Sequence, residues 1–168
     1  MAKQNNFLGI LGFLGLWLGT YAIIVGTTSL TMASIFATLA GIPLIGGLFT
    51  QNIIGTYTNL GIISVIGGAI LAVVGLKFAV ENGGKIIKML IGIISLLSAL
   101  LCAFIGGILV FGGITIIGTV FFAMIMIILF LIADWGMGTS FFTKFVKALP
   151  IVGDFAVRLV KAVVPLKT

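Results

Sequence analysis

Charge is the scarcest property of this sequence. Only 7% of its 168 residues are charged, whereas 61% are hydrophobic. Soluble globular domains use roughly a quarter of their residues to place charge on the surface. A chain with so little charge has too few charged side chains to form a water-soluble surface. The composition therefore excludes a soluble globular domain and indicates an integral membrane protein.

Residues that carry chemistry are equally scarce. The chain has no histidine, one cysteine and three acidic residues, Glu81, Asp134 and Asp154. The commonest metal ligand and general base is therefore missing. Cys102 lies in an apolar run and is expected to be a packing residue, and the three carboxylates are far apart in the chain. We therefore expect no enzyme activity, catalytic residue, metal site or cofactor.

A long uncharged run extends from Met89 to Ala133 and is closed by Lys88 at one end and Asp134 at the other. As a single helix it would reach about 65 Å, roughly twice the hydrocarbon thickness of a bilayer. The run must therefore fold back on itself, and Gly112-Gly113 is the expected turn. This predicts a transmembrane helical hairpin with spans near 89–111 and 114–133.

Two further apolar segments, 7–25 and 60–80, are long enough to span a membrane. The stretch 30–49 is ambiguous, because a polar break at 27–31 precedes it and Pro43 interrupts it. It is either a re-entrant or surface element or a fifth span.

Residues 50–59 are polar but uncharged and are expected to form a loop at an interface.

Small residues recur three or four positions apart in three of the spans, which places them on one face of each helix. Such faces let helix backbones approach closely in lipid, and the spacing favours left-handed, nearly parallel or antiparallel packing. The predicted helix-packing residues are Gly12, Gly15, Gly19, Gly61, Ser64, Gly68, Ala72, Gly75, Gly92, Ser95, Ala99 and Gly106.

Residues 135–168 have a different character, with two short, basic, two-faced helices expected. In the second helix, the apolar face is assigned to Val152, Phe155, Leu159 and Val163. Four cations are predicted to contact lipid headgroups, namely Lys144, Lys147, Arg158 and Lys161. The segment is thus predicted to lie flat in the headgroup layer, and the alternative is packing against the end of the bundle.

These patterns predict an all-α integral membrane protein. Residues 1–134 form a bundle of four, alternatively five, transmembrane helices with small-residue packing faces. Residues 135–168 form an interfacial amphipathic helical segment at the C-terminus.

Positive charge in short loops marks the cytoplasmic side of a membrane. The lysines around loop 81–88 and those of the tail are separated by two crossings, so both clusters are predicted to be cytoplasmic. Four spans would also place the N-terminus inside, whereas five would place it outside. Asp134 is expected to stay solvated at the interface or to pair with Lys88, and Lys77 to extend toward the headgroups.

The sequence favours a non-catalytic membrane protein, either a structural or accessory subunit of a larger assembly in a cell membrane or a viral envelope-type protein. The alternative is a pore-forming or holin-like protein that permeabilises membranes. The net charge of +6 indicates anionic lipid headgroups rather than nucleic acid as the partner. Other membrane subunits or self-association are expected, and no small-molecule substrate is identified.

Overall fold

The computed structural model describes the backbone of residues 6–111 and 116–166, and the side chains of residues 7–108 and 118–166. Six α-helices follow one another in the chain: α1 (Asn6–Ala40), α2 (Gln51–Asn82), α3 (Lys85–Phe111), α4 (Ile116–Met137), α5 (Phe141–Lys147) and α6 (Val152–Lys161). The described residues contain no β-strand. This confirms the all-α prediction. The expected turn at Gly112-Gly113 lies outside the described residues.

Helices α1 to α4 are each long and apolar enough to cross a membrane. A multi-pass membrane protein is therefore compatible with the fold. Helix α1 has 35 residues and α2 has 32, which correspond to about 52 Å and 48 Å. Helix α4 has only 22 residues, or about 33 Å.

The polar break predicted at 27–31 is wrong, because α1 continues through it without interruption. Each hydroxyl in the stretch turns back to its own helix. Thr27 donates to the carbonyl oxygen of Ile23 at 2.8 Å, and Thr31 donates to that of Thr27 at 2.9 Å. Such bonds satisfy serine and threonine inside a helix, so polarity here does not mark a loop.

The segment 30–49 is neither a separate span nor a re-entrant helix, because residues 30–40 complete α1 and the chain then turns. A short 3₁₀ helix occupies Gly46–Leu48 within that turn. A Cβ on Gly46 would overlap the carbonyl oxygen of Ala40, which shows how tightly the chain reverses. Phe36 stacks on Phe49 with ring centroids 5.2 Å apart and ties the turn to the end of α1.

The loop predicted at 50–59 is also wrong, since α2 begins at Gln51. Thr56 and Thr58 donate to the carbonyl oxygens of Asn52 and Ile54, four residues earlier. As in α1, the hydroxyls in the first turns of α2 are therefore satisfied by carbonyl oxygens of their own helix, and the polar residues do not form a loop.

The four long helices form two hairpins. Helices α1 and α2 contact each other along their length, α3 pairs with α4, and contacts between the two hairpins are fewer. One core cluster joins Leu16, Leu76, Ile91 and Leu131 from the four helices. A second cluster joins Ile24, Ala99, Cys102, Phe122 and Leu129.

The C-terminal helices α5 and α6 pack against the end of the bundle, which was the alternative to a free interfacial helix. Val146, Val157 and Val160 are buried in the same cluster as Leu76 and Leu131. The tail is therefore part of the core at this end of the molecule, and its location relative to headgroups stays a prediction.

Helix α6 buries other residues than the assigned apolar face, of which only Val163 packs against the core cluster. Its buried residues are Gly153, Ala156, Val157 and Val160. Val152, Phe155 and Leu159 are instead exposed beside that face. The apolar arc of α6 is wider than one contact requires, so the bundle covers one part of it and leaves the other part open.

Candidate functional site

Charged residues collect at one end of the bundle, which we call the charged end. Among the described residues of α1 to α4 it comprises Lys77, Glu81, Lys85, Lys88 and Asp134. The turn between α2 and α3 and the C-terminus of α4 meet here, and the tail covers part of the same end.

Asp134 is the one charged residue of the described ranges that is fully buried, with 0% of its surface exposed. Thr139 Oγ1 donates to its Oδ1 at 2.5 Å, and the Thr143 backbone N–H donates to its Oδ2 at 2.6 Å. The expectation that Asp134 is solvated is therefore wrong. A buried carboxylate requires such donors, since an unpaired buried charge is very costly.

The geometry that brings these donors to Asp134 begins at the C-terminus of α4. Gly138 has a φ of +72°, and its N–H donates to the Trp135 carbonyl oxygen at 3.2 Å. The Thr139 N–H donates to the Asp134 carbonyl oxygen at 2.9 Å. This pair of bonds is a Schellman motif, in which glycine ends the helix and reverses the chain. The reversal returns Thr139 and Thr143 to the Asp134 side chain.

One polar atom in this region has no partner. Thr143 is buried, and among the described residues its Oγ1 accepts or donates no hydrogen bond. Its backbone N–H is bound to Asp134, so the residue is held in place through its main chain.

Lys88 does not pair with Asp134 in the described part of the chain. Its Nζ lies over the indole ring of Trp135, 5.6 Å from the centroid. A cation over a tryptophan face is stabilised by the ring quadrupole. The predicted Lys88–Asp134 pairing is thus replaced by a contact with the next residue of α4.

A cavity of about 340 Å³ opens beside this pair, between the first turns of α3 and the C-terminus of α4. Its walls include Lys85, Lys88, Asp134 and Trp135, and Pro165 from the tail closes one side. We call it the lysine pocket. This cavity combines several ionisable side chains with an aromatic wall.

Two glycines bring the walls of the lysine pocket together. A Cβ on Gly136 of α4 would overlap the backbone nitrogen of Gly92 of α3 and lie 2.5 Å from the Lys88 carbonyl oxygen. Gly92 was among the predicted packing residues, whereas Gly136 was not. The sequence carried no signal for Gly136 beyond its glycine identity, because its partner is more than 40 residues earlier.

The predicted packing residues of α1 and α2 meet at the interface within the first hairpin. A Cβ on Gly12 would lie 2.5 Å from the Ala79 nitrogen, and one on Gly19 would overlap the Ala72 nitrogen. The structure places seven of them at this interface, namely Gly12, Gly15, Gly19, Gly61, Gly68, Ala72 and Gly75.

The remaining predicted packing residues lie elsewhere. Ser95 is buried in the cleft between α1 and α3. Ala99 belongs to the second core cluster, and a Cβ on Gly106 would lie 3.4 Å from Phe122 Cβ. Ser64 is half-buried on α2. Gly9 and Gly26 of α1, not among the predicted twelve, also face α2 or its following turn at close range.

The four predicted headgroup-contacting cations are all exposed on the outside of the tail. Four apolar side chains of the same two helices are also exposed, namely Phe141, Phe145, Phe155 and Leu159. Cations and aromatic side chains together on one outer surface are typical of a membrane interface.

The described residues form no cluster suited to redox or metal chemistry. Cys102 is buried, and no group of three or more His, Cys, Asp or Glu residues could hold a metal ion there. The Thr139 hydroxyl is bonded to a carboxylate, and its bond to Asp134 helps to hold the tail against α4.

Comparisons of the chain with protein-family models, with curated proteins and with solved structures give no match. Function is therefore inferred from the chain's own residues.

Proposed function

We propose that this chain is a non-catalytic structural or accessory subunit of a larger membrane assembly, in a cell membrane or a virion envelope. The observation that carries the proposal is an exposed apolar turn at the end of the first hairpin opposite the charged end. We call this turn, residues 41–50, the hairpin tip.

The hairpin tip is unusually apolar for an exposed turn. Leu44 is 95% exposed and Leu48 is 71% exposed, and Ile42 and Ile45 are exposed beside them. The sequence has no charged residue between Lys3 and Lys77. An apolar surface of this kind typically marks a contact with a protein or a membrane, because each Å² removed from water is worth about 25 cal/mol.

Helix length supports a tip at or beyond the far headgroup layer. Helix α2 has 32 residues and measures about 48 Å, whereas a bilayer has a hydrocarbon core of about 30 Å. Even a tilt of about 40° would leave a projected length of about 37 Å. Helix α2 is also about 15 Å longer than the 22-residue α4, which supports a tip that is accessible to another subunit.

The small-residue faces do not supply the surface for that partner. Gly12, Gly19, Gly68 and Gly75 are occupied by the contact between α1 and α2. A partner would thus contact the hairpin tip and the exposed lipid-facing side chains. The glycines would serve to keep α1 and α2 closely packed.

The proposed orientation places loop 81–88 and the C-terminus in the cytoplasm, as the clustering of lysines at the charged end supports. Four crossings then place the hairpin tip and the connection between α3 and α4 on the outside. The N-terminus is inside in this arrangement.

Gentle purification followed by mass spectrometry of co-purifying proteins tests the proposal. We expect stoichiometric membrane partners or further copies with the wild-type chain, and their loss with Leu44→Asp/Leu48→Asp. Gln51→Glu is the matched control, because it adds a negative charge next to the tip at an exposed position without removing apolar surface. A lone monomer from the wild-type chain would contradict the proposal.

The alternative function, a pore, finds less support in the described cavities. An apolar cavity of about 320 Å³ lies between the hairpins and under α6, and Thr20 is its only polar lining side chain. A water-filled path needs a polar or charged lining. Dye leakage from liposomes that contain the purified chain would favour the pore over the subunit.

A further inference from the structure

We infer that the lysine pocket binds a singly charged phosphate ester, such as the headgroup of an anionic phospholipid. The inference rests on the proposed membrane location and adds a specific ligand at a specific place. It concerns a cavity with two lysines and a tryptophan, which differs from the diffuse attraction of exposed tail cations for a charged surface.

The size and walls of the pocket suit a phosphate with its attached glycerol. The cavity measures about 340 Å³, which is comparable with small-ligand sites. Met89, Met137 and Trp135 provide apolar wall, while Lys85 and Lys88 provide donors. An ammonium group carries three donors and no acceptor, so either lysine can donate to an anionic or carbonyl group that enters the pocket.

The formal charge of the pocket would be neutralised by a ligand with a single negative charge. Two lysines and one aspartate line it, so its formal charge is a single positive one. A phosphodiester carries a single negative charge, and its non-bridging oxygens can accept from both ammonium groups. A zwitterionic headgroup would bring its own cation next to the two lysines and is disfavoured by like-charge repulsion.

Asp134 does not offer the pocket a second, competing function. Both of its oxygens already accept short hydrogen bonds from Thr139 and Thr143. A metal cation would have to displace these donors and approach two lysines. Lys88 is meanwhile oriented by the Trp135 ring, so its ammonium group is held at the pocket wall before a ligand arrives.

The position of the pocket along α3 and α4 also suits a lipid headgroup. It is at the start of α3 and the end of α4, where the apolar run from Met89 to Ala133 gives way to charge. Tryptophan and lysine are typical of that level of a bilayer. A lipid could place its phosphate between Lys85 and Lys88 and leave its acyl chains along the exposed side of α3.

Native mass spectrometry of the full-length chain in mixed micelles tests the inference. Phosphatidylglycerol and phosphatidylcholine are titrated separately against the wild-type chain and against Lys85→Gln/Lys88→Gln. We expect one tightly retained phosphatidylglycerol on the wild type, about tenfold weaker retention of phosphatidylcholine, and about tenfold weaker phosphatidylglycerol binding by the double variant.

Two further variants separate the pocket from general charge and from misfolding. Lys144→Gln/Lys147→Gln removes the same charge from the exposed face of α5 and should retain phosphatidylglycerol within about twofold of the wild type. Lys85→Arg/Lys88→Arg keeps both charges and should also retain the lipid. Equal weakening by the two glutamine pairs, or equal retention of the two lipids by the wild type, would overturn the inference.

Soluble glycerophosphoglycerol, the phosphodiester headgroup of phosphatidylglycerol without its acyl chains, identifies the source of the phosphate. Failure to displace the lipid assigns the site to a headgroup, whereas displacement at matched concentration assigns it to a soluble phosphate ester, and both outcomes support a phosphate site. Lipid retention is measured on the chain alone, so it can fail or succeed independently of the co-purification that tests the subunit proposal.

Discussion

Gly19 of α1 lies against the backbone of Ala72 of α2 so closely that a Cβ on Gly19 would overlap the Ala72 amide nitrogen. The neighbouring Gly68 carbonyl oxygen would be only 2.6 Å from the same Cβ. Both obstacles are backbone atoms of a helix, which cannot move aside as a flexible side chain can. The two helices therefore approach to a distance that only glycine permits.

Gly19→Ala is expected to destabilise the first hairpin by about 1–3 kcal/mol through overpacking. Gly67→Ala is the matched control, since a Cβ at Gly67 would meet no atom within 4 Å. Alanine is a better helix former than glycine by about 1 kcal/mol, so the control should be neutral or stabilising. The free energy of unfolding in bicelles measures both, and equal effects would contradict close packing at Gly19.

Asp134→Ala should loosen the tail from the bundle. It removes the acceptor for the Thr143 N–H and the Thr139 hydroxyl, and a buried unpaired donor costs about 1–3 kcal/mol. Faster proteolytic cleavage beyond Gly138 is the expected readout. Asp154→Asn, at an exposed position of α6, should leave the cleavage rate near that of the wild type. A tail that stays protected in Asp134→Ala would show that these two bonds are dispensable.

Ile151 occupies a strained turn between α5 and α6. Its φ is +67° and its ψ is −60°, and the Val152 N–H donates to the Pro150 carbonyl oxygen at 2.8 Å. This is a γ-turn of the rare, strained type, and a β-branched side chain makes it worse. The side chain is 88% exposed and contributes little packing to offset the cost.

Ile151→Gly should therefore stabilise the chain by about 1 kcal/mol, after the entropy that glycine loses on folding is subtracted. Ile151→Val retains the β-branch and should leave the free energy of unfolding unchanged. The comparison is made by unfolding in bicelles. A destabilised glycine variant would mean that the turn is unstrained or that Ile151 makes an important contact.

The exposed apolar side chains of the tail should lie in lipid. With Trp17 and Trp135 replaced by phenylalanine, a tryptophan introduced by Phe155→Trp is expected to be quenched by brominated acyl chains. Arg158→Trp places the probe on the polar face of the same helix and should be quenched far less. Equal quenching at both positions would argue against an oriented interfacial helix.

The sequence predicted those features of the fold that depend on helix periodicity and the bilayer. Regular spacing of Gly12, Gly15 and Gly19 indicates a shared face because 3.6 residues complete a turn. The run from Met89 to Ala133 requires a reversal because of its length alone. Neither inference needs knowledge of the partner helix.

The features that the sequence did not predict correctly depend on which atom each polar group uses as its hydrogen-bond partner. The hydroxyls of Thr27 and Thr31 bond within their own helix. The polar cluster therefore does not interrupt α1, although its composition suggested a break between two helices. Asp134 is buried because Gly138 reverses the chain and returns Thr143 to it. The lysine pocket likewise needs the close approach of Gly92 and Gly136, whose pairing leaves no mark in either local sequence.

The proposed four-span topology is tested most directly by labelling single cysteines with a membrane-impermeant maleimide. In a Cys102→Ala background, Gln51→Cys reports on the base of the hairpin tip and Lys144→Cys on the tail, and both positions are exposed. We predict that Gln51→Cys is labelled from outside intact cells and that Lys144→Cys is labelled only after permeabilisation. Labelling of both positions from the same side would contradict a bundle whose apolar tip and charged end face opposite compartments.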